Sequence, residues 1–371
     1  MKPIYMDNAA STKVKPNVLA KFNEIAETLY GNPSSEHTEG YLAENCIRFV
    51  KDNIASKINC NSDDIFFTSG ATMSNNILIQ GVLRKRPETM FITSCVEHND
   101  IMELFDWLPY SKCMCNVDSK GIVKLKELWL QLSNCKDNHK PCLVSIQMAN
   151  SETGIIQPIK EIADMVHENN GLLHVDATQY IPYYPINVKN MGIDALSMSA
   201  QKIGGIKGSG LLVVNQRVQD NMSPIIFGEQ GLIGGTPSTP LIASLGIAFD
   251  EIDYDVSSLE DKRDILLSCL KDIGGILVGG ISNRLPNNIY IRFPGINGLT
   301  LMHLLDEYDI YIGTGSACST DSDKPSHVAL AYGLTVTESF ECVRFTLSNE
   351  TTYEDIEYVV RVLKGILPLI N

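Results

Sequence analysis

Between residues 65 and 214 short apolar runs alternate with segments of helical spacing, and this alternation restricts the fold more than any other feature of the chain. The runs are Ile65 to Thr68, Met90 to Thr93, Cys113 to Val117, Leu143 to Met148, Leu172 to Val175, Ile193 to Met198 and Leu211 to Val214. Helical spacing fills most of the gaps: from Ser74, from Asp100, over Leu125 to Leu132, and over Ile159 to Asn169. Strands separated by helices of this length pack as a mostly parallel sheet covered on both faces. The expectation is therefore an α/β protein with a seven-stranded sheet. Two amphipathic helices, Pro16 to Leu29 and Tyr41 to Ile58, precede it. Beyond Asp255 the order changes to helix Leu259 to Lys271, strand Ile289 to Phe293, helix Leu299 to Glu307, strands Ile310 to Gly313 and Val343 to Leu347, and a closing helix Tyr353 to Leu367. That order reads as a smaller α+β unit. No Pro/Ser-rich linker divides the two, so we expect a large domain over residues 15–254 packed against a small domain formed by residues 1–14 and 255–371.

Composition removes several classes. A net charge of −14 with no cluster of Lys and Arg argues against nucleic acid as a partner. Met1 to Lys13 lacks the basic-then-apolar pattern of a signal peptide, and no apolar run reaches the roughly 18 residues that would span a bilayer. A cytoplasmic location with no membrane partner is the expectation. The ten cysteines show no CxxC pair and sit largely in apolar runs, as reduced, buried thiols do. No metal site is expected; Cys113 and Cys115 form a CxC, which alternation along a strand would place on one face without any metal.

The runs ending at Val175 and Met198 deliver Asp176 and, through Ser199-Ala200-Gln201, Lys202. In open α/β sheets ligands bind beyond the carboxyl ends of the strands, so the acid and the lysine would face one crevice. Such a pair suits pyridoxal 5'-phosphate, the lysine making the Schiff base and the acid pairing with the pyridinium nitrogen. It is equally the composition of a salt bridge at a sheet edge. Thr68 to Asn76 follows a strand and opens a helix, the arrangement of a phosphate site and also of an ordinary Ser/Thr helix cap. His98 holds the corresponding place after the next strand, where an imidazole can stack on a ring and move protons or simply cap a helix. Cys318 lies in the polar loop Gly313 to Asp321, as a nucleophile or as a structural residue. Arg344 interrupts the apolar strand Cys342 to Leu347, where its charge needs an anionic partner such as a carboxylate.

With these residues in place the chain resembles the cysteine desulfurases of the NifS/IscS type, within the class V aminotransferase group of pyridoxal-phosphate enzymes of fold type I. The resemblance runs nearly end to end through Tyr5 to Thr12, Gly31 to Ser35, Ser69 to Asn76, Glu97-His98, Glu152 to Pro158, His174 to Gln179, Lys202, Gly315 to Cys318, Pro325 to Val328 and Val343 to Phe345. It implies that Lys202 carries the cofactor and removes the substrate Cα proton. By the same resemblance Asp176 pairs with the ring nitrogen, Gln179 bonds the phenolic oxygen, and His98 stacks on the ring and assists proton transfer. Ala71, Thr72, Ser199 and Gln201 hold the phosphate, with Thr236 reaching in from the second subunit of a homodimer. Arg344 and Asn8 bind the substrate L-cysteine, and Cys318 takes its sulfur as a persulfide, leaving alanine. The persulfide then passes to an acceptor protein for iron–sulfur cluster assembly or tRNA thiolation.

The chain departs from the family pattern in four places. Ser151 replaces the second Asn of an Asn-Asn-Glu run, so a hydrogen bond near the cofactor oxygen is lost or rerouted. Gln201 replaces a His, Met73 replaces a Glu, and the loop Phe227 to Thr236 is shorter and lacks the arginines that flank it in the family. Two other readings follow: a related β-lyase, for instance one acting on selenocysteine, and a divergent member that has lost turnover and serves as a scaffold. Retention of Lys202, Asp176, His98, Cys318 and Arg344 weighs against the scaffold.

Overall fold

The computed structural model describes residues 2–228, 231–315 and 324–370. Twelve strands are found among them: β1 (Ile4–Met6), β2 (Ile65–Thr68), β3 (Met90–Ser94), β4 (Lys112–Cys115), β5 (Cys142–Gln147), β6 (Leu172–Asp176), β7 (Ala195–Ser199), β8 (Gly210–Val214), β9 (Ile276–Leu277), β10 (Asn288–Arg292), β11 (Ile310–Ile312) and β12 (Cys342–Thr346). Seven of them form the central sheet in the order β2-β8-β7-β6-β5-β3-β4. All neighbours are parallel except β8, which runs against both β2 and β7.

Direction decides where chemistry can collect. The carboxyl ends of β2, β3, β5, β6 and β7 reach the same edge of the sheet, and the reversed β8 starts there. Register makes this explicit: Gly210 is paired with Thr68 on one side and with Ser199 on the other. Lys202 lies in the loop that turns β7 back into β8. Gly204 and Gly208 take positive φ there (77° and 83°), a conformation that costs glycine little, and Ala200 N donates to Ser209 O to close the loop.

Strands β5, β7 and β8 are buried at every position, and β6 at all but its first residue. A sheet covered on both faces has strands that read as continuous apolar runs, and these do so with few exceptions. The exceptions, Ser145, Gln147, His174, Asp176, Ser197 and Ser199, are all buried. Buried polar groups require hydrogen-bond partners, and theirs lie within or beside the site described below.

A second core gathers Ile4 and Met6 with residues from Leu259 to Leu367. Here β10 pairs antiparallel with β12 and β9, while β1, from the start of the chain, pairs parallel with β11. A bridge between Asp7 and Thr346, and another between Gly313 and Arg344, tie the two small sheets together. The N-terminal segment thus runs from the small core to the edge of the large sheet.

Candidate active site

Lys202 stands at the last position of a 3-10 turn (Ala200–Lys202) that follows β7. Its Nζ donates to Ala9 O at 2.7 Å and Ala10 O at 2.5 Å. Gln179, three residues beyond Asp176, donates from Nε2 to the same Ala9 carbonyl at 2.9 Å. The N-terminal segment therefore brings the lysine and the end of β6 to one point. Gln201 contributes its backbone oxygen, which accepts from Thr12 N and Oγ1, while its side chain makes no hydrogen bond among the described residues. Lys202 and Asn8 also border a cavity of about 760 Å³ that is lined from both cores, with Tyr183, Gly204 and Leu347 among its walls.

Asp176 ends β6 and is buried. Its Oδ1 accepts from Thr178 N at 3.0 Å and its Oδ2 from Asn75 Nδ2 at 3.1 Å. Burial raises its carboxyl above the usual carboxylate range, and the neighbouring Asp100 adds to the effect. Among the described residues no cation forms an ion pair with it. A buried carboxylate with two neutral donors fits a cationic ring nitrogen as its remaining partner.

A helix start with the composition of an anion site lies beside it. The helix Ala71–Lys85 begins at Gly70, whose φ of 144° keeps the turn open to backbone approach. Ala71 N donates to Ser199 Oγ at 2.8 Å, joining the helix start to the end of β7. Thr72 is exposed in the first turn. Gly210 closes the floor, since a Cβ there would lie 2.5 Å from Met198 O and 2.6 Å from Gly70 Cα. Hydroxyls and free N–H groups at a helix start form a phosphate site.

His98 caps the helix Asn99–Trp107, and its Nδ1 lies 2.9 Å from Asp100 Oδ1. Burial works against ionisation of Asp100, but His98, Asn75 and Thr72 together hold its carboxyl below the ordinary value. Glu97, next along, is fully buried. Burial pushes its carboxyl up to about 8, although Ser94 and Gln147 donate to it.

Arg344 is 1% exposed. Its Nη2 donates to Asp7 Oδ1 at 2.7 Å and its Nη1 to Ser151 O at 2.9 Å. Ser151 thus enters the site through its backbone oxygen. Asn8 Nδ2 donates to Thr346 O at 2.8 Å, two residues along β12. The next residue after Ser151, Glu152, has its carboxyl buried and pushed up to about 7; Ser326 Oγ donates to it at 2.6 Å. Gly315 packs here with no space for a side chain, between Tyr290 Oη and Glu152 Oε2.

The structure thus gathers Lys202, Asp176, Gln179, Ser199, Ala71, His98, Arg344, Asn8 and Ser151 along one edge. Cys318 lies outside the described residues. Thr236 is exposed and makes no hydrogen bond to these groups among the described residues. The sequence reading missed Asn75, Asp100 and Asp7 as members of the site. Asn75 had a signal: it falls on the same helical face as Leu78, Ile79 and Val82, where an amide needs a reason.

Comparison with known proteins gives the family. The pattern of the aminotransferase class-V family matches residues 4–359. The chain is 34% identical to a cysteine desulfurase IscS from Dictyoglomus turgidum, over 99% of this chain and 95% of that one. Among solved structures, a NifS-like protein superposes with a TM-score of 0.90 at 31% identity, covering 99% of this chain and all of the other. A structure described as SspA in complex with cysteine gives a TM-score of 0.81 at 29% identity over 93% of this chain and 98% of the other.

Proposed function

This chain belongs to the aminotransferase class-V family, and from that membership and the site geometry we propose that it is a pyridoxal-phosphate-dependent cysteine desulfurase. It converts L-cysteine to L-alanine and leaves the sulfur as a persulfide on Cys318. The observation that carries the reading is the buried Asp176 carboxylate, unpaired with any cation among the described residues, at the sheet edge that also bears Lys202 and the helix-start anion cradle.

The residues present fit the cofactor. Asp176 would hold the ring nitrogen protonated, Gln179 would meet the phenolic oxygen, and Ser199, Gln201, Ala71 and Thr72 would take the phosphate. When bound, pyridoxal phosphate supplies the electron sink that makes an amino-acid Cα proton removable near neutral pH. Lys202 is the base for that proton and the donor that returns it. His98, oriented by Asp100, assists proton movement. Arg344, preset by Asp7 and the Ser151 carbonyl, grips the substrate carboxylate with its planar fork, and Asn8 lies beside it. The Cys318 sulfur bonds to the substrate sulfur as the C–S bond breaks; the electron pair of that bond stays with the substrate's Cβ, which gains the proton given up by the thiol. The products are alanine and the Cys318 persulfide, so all atoms of cysteine and thiol are accounted for.

We assign the active form as a homodimer, with Thr236 completing the phosphate site across the subunit interface, and a protein thiol as the sulfur acceptor. No helix among the described residues is long and apolar enough to cross a membrane. A direct test is the absorbance of the purified protein titrated with pyridoxal 5'-phosphate and then with L-cysteine. A cofactor band that appears only with Lys202 intact, and changes on addition of cysteine but not of L-serine, supports the reading; a protein that takes up no cofactor refutes it.

A further inference from the structure

Asn75 is 0% exposed in the second turn of the helix Ala71–Lys85. An amide buried this completely must have every polar atom partnered or destabilise the fold. Its two N–H bonds go to two different carboxylates, Asp100 Oδ2 and Asp176 Oδ2, each at 3.1 Å. Its oxygen accepts from Ser197 Oγ on β7.

These partners fix the direction of a longer chain of bonds. The amide cannot be flipped, because its oxygen would then face two carboxylate oxygens. Ser197 spends its only hydrogen on Asn75, so toward His174 Nε2, at 2.9 Å, it must accept. His174 therefore carries its proton on Nε2, and its Nδ1 accepts from Ser145 Oγ at 2.8 Å. Burial keeps that imidazole neutral, holding it down at about 3. Ser145, His174, Ser197 and Asn75 thus form a one-way series of donors that ends on two acids.

The far oxygens of those acids face the site. Asp100 Oδ1 meets His98 Nδ1, and Asp176 Oδ1 accepts from Thr178 N. Like charges this near repel, and without a shared donor one would take a proton or swing away. Glu97 lies close to both, and after burial their charges are a further reason why its own carboxyl is pushed up and keeps its proton.

We propose that Asn75 is a positioning residue that sets Asp176 and Asp100 from a single amide, so that the partner of the cofactor's ring nitrogen and the orientation of His98 are governed together. This rests on the reading of the site as a pyridoxal-phosphate site. It assigns a role to a residue that touches neither cofactor nor substrate.

The test titrates cofactor-stripped protein with pyridoxal 5'-phosphate for wild type, Asn75→Asp, Asn75→Ser and Ser197→Ala, with the thermal midpoint of each recorded. Asn75→Asp keeps the volume but cannot donate to both acids, and Asn75→Ser can reach at most one. Both should bind at least about tenfold more weakly, as expected when a buried acid loses a donor, while Ser197→Ala, which keeps both Asn75 N–H bonds, should stay within about threefold despite a lower melting point. The pH midpoint of the bound cofactor's absorbance should also move in both Asn75 variants. If either folded Asn75 variant keeps wild-type affinity and wild-type pH midpoint and loses only thermal stability, Asn75 is a packing residue and the proposal is overturned. A wild type that binds no cofactor removes the functional reading and this proposal with it, an outcome distinct from variants that match a binding wild type.

Discussion

Glu97→Gln should stabilise this protein, and by an amount that grows with pH. The Glu97 carboxyl is 1% exposed, with Gln147 N donating to Oε2 at 2.7 Å and Ser94 against Oε1. Burial pushes it from an ordinary 4.5 up to about 8, with Asp176 and Asp100 adding to the shift. Below about pH 4.5 the folded and unfolded forms both hold the proton, and Glu97 costs nothing. Between about 4.5 and 8 the unfolded chain releases the proton and the folded chain retains it, so stability falls as pH rises, by at most ~1.4 kcal/mol per unit. At pH 7 that is an upper limit of ~3.4 kcal/mol, and side-chain relaxation reduces it to roughly 1–3 kcal/mol. A glutamine can keep both neighbours with no charge to desolvate, its oxygen accepting from Gln147 N and its amide donating to Ser94 Oγ once the Ser94 hydroxyl turns its hydrogen away. Urea midpoints of wild type and Glu97→Gln at pH 5.0, 6.5 and 8.0 measure the difference. It should be smallest at the lowest pH and widen in favour of glutamine. A glutamine variant that is less stable by a constant amount at all three values would mean that Glu97 is ionised and held by charge-assisted bonds, and the argument from burial would be wrong.

Two further predictions use glycines at the site. In Gly313→Ala the new Cβ would lie 2.6 Å from Asp7 Oδ1 and 2.8 Å from Arg344 Nη2, so the ion pair must shift. We expect the KM for L-cysteine to rise by about tenfold or more with a smaller change in kcat, since the carboxylate grip is lost before the chemistry; steady-state kinetics check it. In Gly210→Ala the Cβ would meet backbone on both sides, Met198 O at 2.5 Å and Gly70 Cα at 2.6 Å, and backbone gives less than a flexible side chain. This should cost about 1–3 kcal/mol in a denaturant titration and weaken the binding of pyridoxal phosphate more than that of the unphosphorylated pyridoxal.

Much of the fold was legible in the chain because burial on both faces leaves continuous apolar runs. Each of the seven runs between residues 65 and 214 is a strand of the central sheet, and the acid and the lysine do come from the adjacent strands β6 and β7. What periodicity does not carry is strand direction. The run Leu211 to Val214 looks like its neighbours, yet it is the reversed strand, and only the glycine-rich turn after Lys202 hints at it. Short and distant pairings were hidden for a different reason: β1 has three residues and finds its partner β11 across most of the chain, so no local pattern announces it. The helix expected to start at Ser74 starts at Ala71, because Ala71 to Met73 look like loop until the sheet places Gly70 against Gly210. The same limit applied within the site. Lys202, His98 and Arg344 are chemically conspicuous in sequence, whereas Asn75 and Asp7 gain their meaning from Asp176 and Arg344, which lie far away in the chain.

The proposed activity is the transfer of sulfur from L-cysteine to Cys318. Single turnover with L-cysteine in the absence of reductant, followed by alanine analysis and mass spectrometry of the intact protein and of its proteolytic peptides, is the decisive measurement. Alanine formation should be matched by one added sulfur on the peptide containing Cys318, with neither product in Lys202→Ala. Alanine and persulfide formation unchanged in Cys318→Ala, or cofactor-loaded protein that yields no alanine, would contradict it.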